Sequence, residues 1–77
     1  MNKNQALIIA RKNKGYTQKQ LAEILSREKT TISNWENGYS HPKLDDAYKL
    51  SEILETDIES LFFAKKVQKT QTFDSVT

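Results

Sequence analysis

With 77 residues, no cysteine, one histidine and a formal net charge of +2, the chain is sized for one small domain. It has no means for a disulfide framework, a Cys-based zinc site or a metal centre built on His41, and no cofactor is expected. There is no apolar run of the roughly 18 residues that a membrane span needs, and the apolar residues 6–10 after Lys3 are too few for a signal-peptide core, so the expected compartment is the cytoplasm.

The charge is unevenly spread. Residues 1–43 carry eight basic and three acidic side chains, a local charge of +5, whereas residues 44–77 carry four basic and seven acidic ones, a local charge of −3. A molecule with one basic end is suited to docking on phosphates by that end. A folded part of about 60 residues buries only roughly 60% of its unfolded surface, so the core is marginal and depends on helix caps or dimerisation.

The first predicted helix covers residues 4–13 and stops before Gly15, with Leu7 and Ala10 toward the core. Ile8 and Ile9 leave at least one large apolar side chain exposed unless the tail or a second subunit covers it. The second helix has complete start signals. Thr17 is a good N-cap, Gln20 three residues on makes a capping box, and Tyr16 with Leu21 can form the hydrophobic staple.

A third helix follows after a tight break and closes at Gly38. Leu21 and Leu25 face inward from the second helix, and Ile32 and Trp35 from the third; Ala22 is small enough for the two to cross closely. Trp35 therefore reads as a core residue. Ser26 opens the break, where a left-handed residue is often required at a cost of about 1 kcal/mol for a non-glycine.

Pro42 precedes a fourth helix over residues 43–54, with Asp45 and Asp46 favourable in its first turn. A short fifth helix is expected over residues 58–63, capped by Thr56 or Asp57, with Thr56 and Glu59 able to form a second capping box. No alternating run is long enough for a core strand, so the expected fold is all-α: a compact five-helix bundle spanning residues 1–63. The polar tail 64–77 (AKKVQKTQTFDSVT) reads as disordered or as a short dimer or partner arm, since Val67, Phe73 and Val76 would need somewhere to pack.

Residues 17–38, TQKQLAEILSREKTTISNWENG, thus have the sequence form of a helix-turn-helix. The ordered set Arg11, Gly15-Tyr16-Thr17-Gln18, Leu21-Ala22, Ile32-Ser33-Asn34-Trp35-Glu36-Asn37-Gly38, Pro42, Leu44, Leu50, Leu54 and Leu61-Phe62 resembles the phage-repressor and Cro-like helix-turn-helix family, also called the XRE family. The resemblance covers about residues 4–63. It implies a lambda-repressor-like bundle of five helices and transcriptional regulation, often by a dimer on a palindrome.

The resemblance also implies roles for individual residues. Lys29, Thr30 and Asn34 would reach base edges from the third helix, flanked by Thr31 and Ser33. Their chemistry agrees: Lys can donate to guanine, Asn can pair with adenine, and a Thr methyl can touch that of thymine. Thr17, Gln18 and Lys19 lie at the start of the second helix, where unpaired backbone N–H groups attract phosphate, and the family's Gln at this position anchors the DNA backbone. Asn37, Tyr39, Ser40 and Lys43 would hold the backbone on the other side. Arg11 and Glu36 match a structural salt bridge of several family members. Glu28 departs from the pattern, standing where a Ser or Thr commonly caps the recognition helix.

The expected function is a sequence-specific regulator of transcription, a repressor binding double-stranded DNA as a homodimer on two half-sites about one helical turn, roughly 34–36 Å, apart. The candidate dimer surface is the fifth helix, with Ile58, Leu61, Phe62 and Phe63. The alternative is an antitoxin- or coactivator-like module that holds another protein through the tail. An enzyme is disfavoured, because the sequence offers no nucleophile–base or metal constellation.

Overall fold

Asn4 starts the first helix: its side chain accepts a hydrogen bond from the Leu7 backbone N–H at 3.1 Å, the behaviour of a good N-cap. The computed structural model of the protein describes residues 3–63. The tail and what was expected of it lie outside that range. Five helices follow in chain order: α1 (Gln5–Asn13), α2 (Gln18–Leu25), α3 (Lys29–Asn37), α4 (Leu44–Leu54) and α5 (Ile58–Phe62). Among the described residues there is no strand, and no helix is long and apolar enough to cross a membrane.

Local chemistry sets most of the boundaries. The α2 capping box is complete: Thr17 Oγ accepts from the Gln20 N–H at 3.0 Å and Gln20 Oε1 accepts from the Thr17 N–H at 2.9 Å. Tyr16, half-buried, packs against the core that contains Leu21. α2 ends on Ser26 in the left-handed region (φ 58°, ψ 42°), and α3 ends on Gly38 with φ 81°. Glu28 takes the N-cap position of α3 but makes no side-chain cap bond.

Of the two caps expected for α5, Asp57 is the N-cap, but no side-chain capping bond forms there and the Thr56–Glu59 capping box is absent. Thr56 belongs instead to the end of α4: its N–H donates to the Ser51 carbonyl at 3.1 Å and its hydroxyl to the Leu54 carbonyl at 3.0 Å. Closing α4 through Glu55 in a left-handed conformation (φ 51°) draws Thr56 backward, away from the following helix.

The core is built from Leu7 and Ala10 of α1, Leu21, Ala22 and Leu25 of α2, Ile32 and Trp35 of α3, Leu50 and Leu54 of α4, and Leu61 of α5. Ala22 is 2% exposed, consistent with α2 and α3 packing closely at their crossing. α1 packs on α3 and α5, and α5 also packs on α4. Of the candidate dimer residues, Leu61 alone is enclosed. Leu61 is 1% exposed in the core of a single chain, which leaves it no surface to offer a partner. Phe62 lies half-buried against the same core, Ile58 is half-buried, and Phe63 is exposed. A five-residue helix lying across α1 and α4 must turn one side chain fully inward, and Leu61 is that residue.

Candidate nucleic-acid interface

The helix-turn-helix is anchored by one buried carboxylate. Glu36 lies on the inner face of α3, 2% exposed. Its Oε2 accepts from Arg11 Nε at 2.6 Å, and its Oε1 accepts from Arg11 Nη2 at 3.2 Å and from Gln18 Nε2 at 2.9 Å. Arg11 also donates through Nη1 to the Tyr16 carbonyl at 2.8 Å, and the Glu36 carbonyl accepts from the Asn4 N–H at 2.7 Å. The guanidinium therefore ties α1, the loop before α2, and α3 into one unit. A bidentate Arg–carboxylate pair fixes orientation as well as energy, because both groups are planar.

Gln18 is held by the same network. With its amide nitrogen on Glu36, its side chain lies along the N-terminal end of α2. The Gln20 N–H is taken by Thr17 Oγ and the Leu21 N–H by the Thr17 carbonyl. The backbone N–H groups of Gln18 and Lys19 have no partner among the described residues, the arrangement that receives an anion at a helix start. An open cleft beside them is lined by Arg11, Lys12, Gly15, Tyr16, Thr17, Gln18, Lys19 and Lys29. It joins the start of α2 to the start of α3 and adds Lys12, which the sequence reading left out. Lys12 belongs to the last turn of α1, and nothing local in the sequence distinguishes it from any other solvated lysine.

On α3, Ile32, Trp35 and Glu36 are turned inward. Lys29 and Thr30 are exposed, and Thr31, Ser33, Asn34 and Asn37 are half-buried. Asn37 Nδ2 donates to Ser33 Oγ at 3.3 Å, one turn apart on the same face. The Asn34 carbonyl accepts from the Tyr39 N–H at 3.0 Å, which folds the chain after Gly38 back onto the helix. The Asn34 side chain has no hydrogen bond among the described residues, so its amide is available for an outside partner. Beyond Gly38, Tyr39, Ser40 and Lys43 are all exposed, with Lys43 the N-cap of α4.

One polar tie has no signature in the sequence. Arg27, in the turn between α2 and α3, donates through Nη2 to Asp46 Oδ2 at 2.8 Å, and Asp46 is 4% exposed. The two residues are 19 apart, and no local signal links them.

With this geometry in place, comparison with known proteins gives the class. The helix-turn-helix family matches residues 7–61, from the first core leucine to the last. The chain belongs to that family, in its phage-repressor and Cro-like (XRE) branch of DNA-binding domains. It is similar to the HTH-type transcriptional regulator ImmR of Bacillus subtilis (strain 168), at 35% identity over 65 residues that cover 84% of this chain and 51% of that protein. It is also similar to the HTH-type transcriptional activator BcrR of Enterococcus faecalis, at 33% identity over 67 residues covering 87% of this chain and 33% of that protein. The chain thus spans about half and about one third of the length of these two curated relatives.

Proposed function

We propose that this chain is a sequence-specific double-stranded DNA-binding regulator of transcription, acting as a repressor and binding a palindromic operator as a homodimer. The observation that carries the reading is the Arg11–Glu36–Gln18 network. It holds the start of α2 and the whole of α3 in one fixed relation, with α3 turned polar side out. A recognition helix must hold its base-reading side chains to within a fraction of an ångström, and a buried bidentate pair supplies that rigidity.

In this reading Lys29, Thr30 and Asn34 meet base edges, with Thr31 and Ser33 beside them. Thr17, Gln18 and Lys19 take phosphate on one side of the groove, and Asn37, Tyr39, Ser40 and Lys43 take it on the other. The names of both relatives, a transcriptional regulator and a transcriptional activator, support the regulatory role. Repression is the simpler outcome for such a unit, because occupancy of a promoter blocks polymerase without any further contact. One unit covers one half-site, and doubling it on a palindrome multiplies a limited affinity.

The deciding experiment is selection of bound sequences from a random duplex pool near physiological salt. Enrichment of a palindrome supports the homodimeric reading. One isolated half-site would leave base recognition standing and remove the homodimer, while no enrichment would remove sequence-specific binding.

A further inference from the structure

The DNA-facing residues proposed above come from two parts of the fold. Lys29 and Asn34 sit on α3, which packs on α2 and α1, whereas Lys43 sits at the start of α4, which packs mainly on α5. Among the described residues, the polar side-chain tie between the helix-turn-helix and α4 is Arg27 to Asp46. Its two ends are well placed for a link. Arg27 lies two residues before Lys29, in a turn pinned by its own N–H on the Ala22 carbonyl at 2.8 Å. Asp46 lies three residues after Lys43, one turn into α4.

The pair is also asymmetric. The Asp46 carboxylate is buried, with Oδ1 lacking a partner among the described residues, so its charge is met by Arg27 through Oδ2. The Arg27 side chain is 45% exposed. If the cation moved away, only the start of α4 would offset the buried Asp46 charge, which disfavours that arrangement. Other features nearby are weaker: α3 has no side-chain cap at Glu28, and α4 has none at Lys43. Neither N-cap residue holds its helix start by a side-chain bond, although Asp45 Oδ1 accepts from the Asp46 N–H at 2.9 Å within α4, and the Arg27–Asp46 pair lies between the two starts.

We infer that Arg27 and Asp46 form a positioning clamp that fixes the distance between the base-reading residues of α3 and the phosphate-holding Lys43 of α4. The inference rests on the DNA-binding reading above and deepens it. Neither clamp residue needs to touch DNA. Their effect is to let Lys29 and Lys43 engage the same duplex at once.

The test compares the full chain with two variants, Asp46→Asn and the double variant Arg27→Met/Asp46→Leu. Asp46 is buried while Arg27 is partly exposed, and removing both charges leaves no unpaired carboxylate in the core, so the double variant separates the clamp from simple folding. Affinity is measured on the selected operator and on an unrelated duplex over a range of salt concentrations. The expected result is a fall of about tenfold in the operator-to-unrelated ratio, because operator binding alone needs the bases at α3 and the phosphate at Lys43 engaged in one register, so the unrelated duplex loses less. Lys43→Ala should weaken operator binding and lower the salt slope by about one in the wild type, and do neither in the double variant. An unchanged ratio in a double variant that melts near the wild type would overturn the clamp while leaving sequence-specific binding intact. If the double variant does not fold, Asp46→Asn decides by the same ratio. A wild type that selects no sequence removes the DNA reading itself and the clamp with it.

Discussion

Arg11 Nε and Glu36 Oε2 meet at 2.6 Å with both side chains almost wholly buried, and Gln18 closes on the same carboxylate from the start of α2. The pair spans 25 residues of sequence and joins α1 to α3. Taking one partner away leaves the other charge buried without compensation, which costs about 3–5 kcal/mol. Arg11→Ala and Glu36→Ala should each lose that much in urea denaturation, a large share of a small domain's stability. A loss under 1 kcal/mol in both would show that the pair does not hold the fold.

Ser26 closes α2 in the left-handed region, where a side chain carries a steric cost of about 1–2 kcal/mol. Glycine removes that cost but adds freedom to the unfolded chain. Ser26→Gly should therefore raise stability by about 0.5–1 kcal/mol, visible as a rise of several degrees in the melting temperature. A lower melting temperature would mean that the Ser26 side chain has a stabilising role that its backbone angles do not reveal.

Glu28 occupies the N-cap of α3 without capping it. Glu28→Ser supplies a short hydroxyl in reach of the first-turn N–H groups, worth about 1 kcal/mol. It also removes a negative charge beside Lys29. Both thermal stability and affinity for any duplex at low salt should increase. If stability increases and affinity does not, the carboxylate lies too far from the phosphates to repel them.

Asn34 and Gln18 separate the two kinds of contact. Asn34→Ala should relax base preference at one position and cost about 1–3 kcal/mol on the operator. Gln18→Ala should weaken binding to all sequences alike, because phosphate contacts carry no sequence information. The assignment of roles fails if Gln18→Ala alters the selected sequence and Asn34→Ala does not.

Ile9 is 54% exposed on α1, on the side away from the core residues Leu7 and Ala10. Ile9→Lys should change stability by no more than about 0.5 kcal/mol in an isolated chain, as for other surface substitutions. A shift of a dimer toward monomer in sedimentation would place Ile9 in the subunit contact. An unchanged oligomeric state would exclude it.

The elements legible in the sequence were those set by neighbours three or four residues apart. Thr17 with Gln20, Gly15, Gly38 and the left-handed Ser26 all act through hydrogen bonds or backbone angles within one turn, so their residue types alone announce α2 and the ends of its neighbours. The inward positions Leu21, Leu25, Ile32 and Trp35 follow from helical period for the same reason. Thr56 shows the limit of local reading. It matched a capping box in sequence, yet two helix ends competed for it and α4 prevailed.

What no local pattern carried is how the helices lie on one another. The burial of Leu61, the placement of Lys12 beside Lys19 and Lys29 around one cleft, and the joining of Arg27 to Asp46 depend on packing between segments remote along the chain. Apolar burial drives that packing and has no preferred direction, so many arrangements satisfy the same pattern of leucines. The buried carboxylates Glu36 and Asp46 distinguish among them, since a charge without its partner cannot be left inside, and their partners meet them only once the helices have docked.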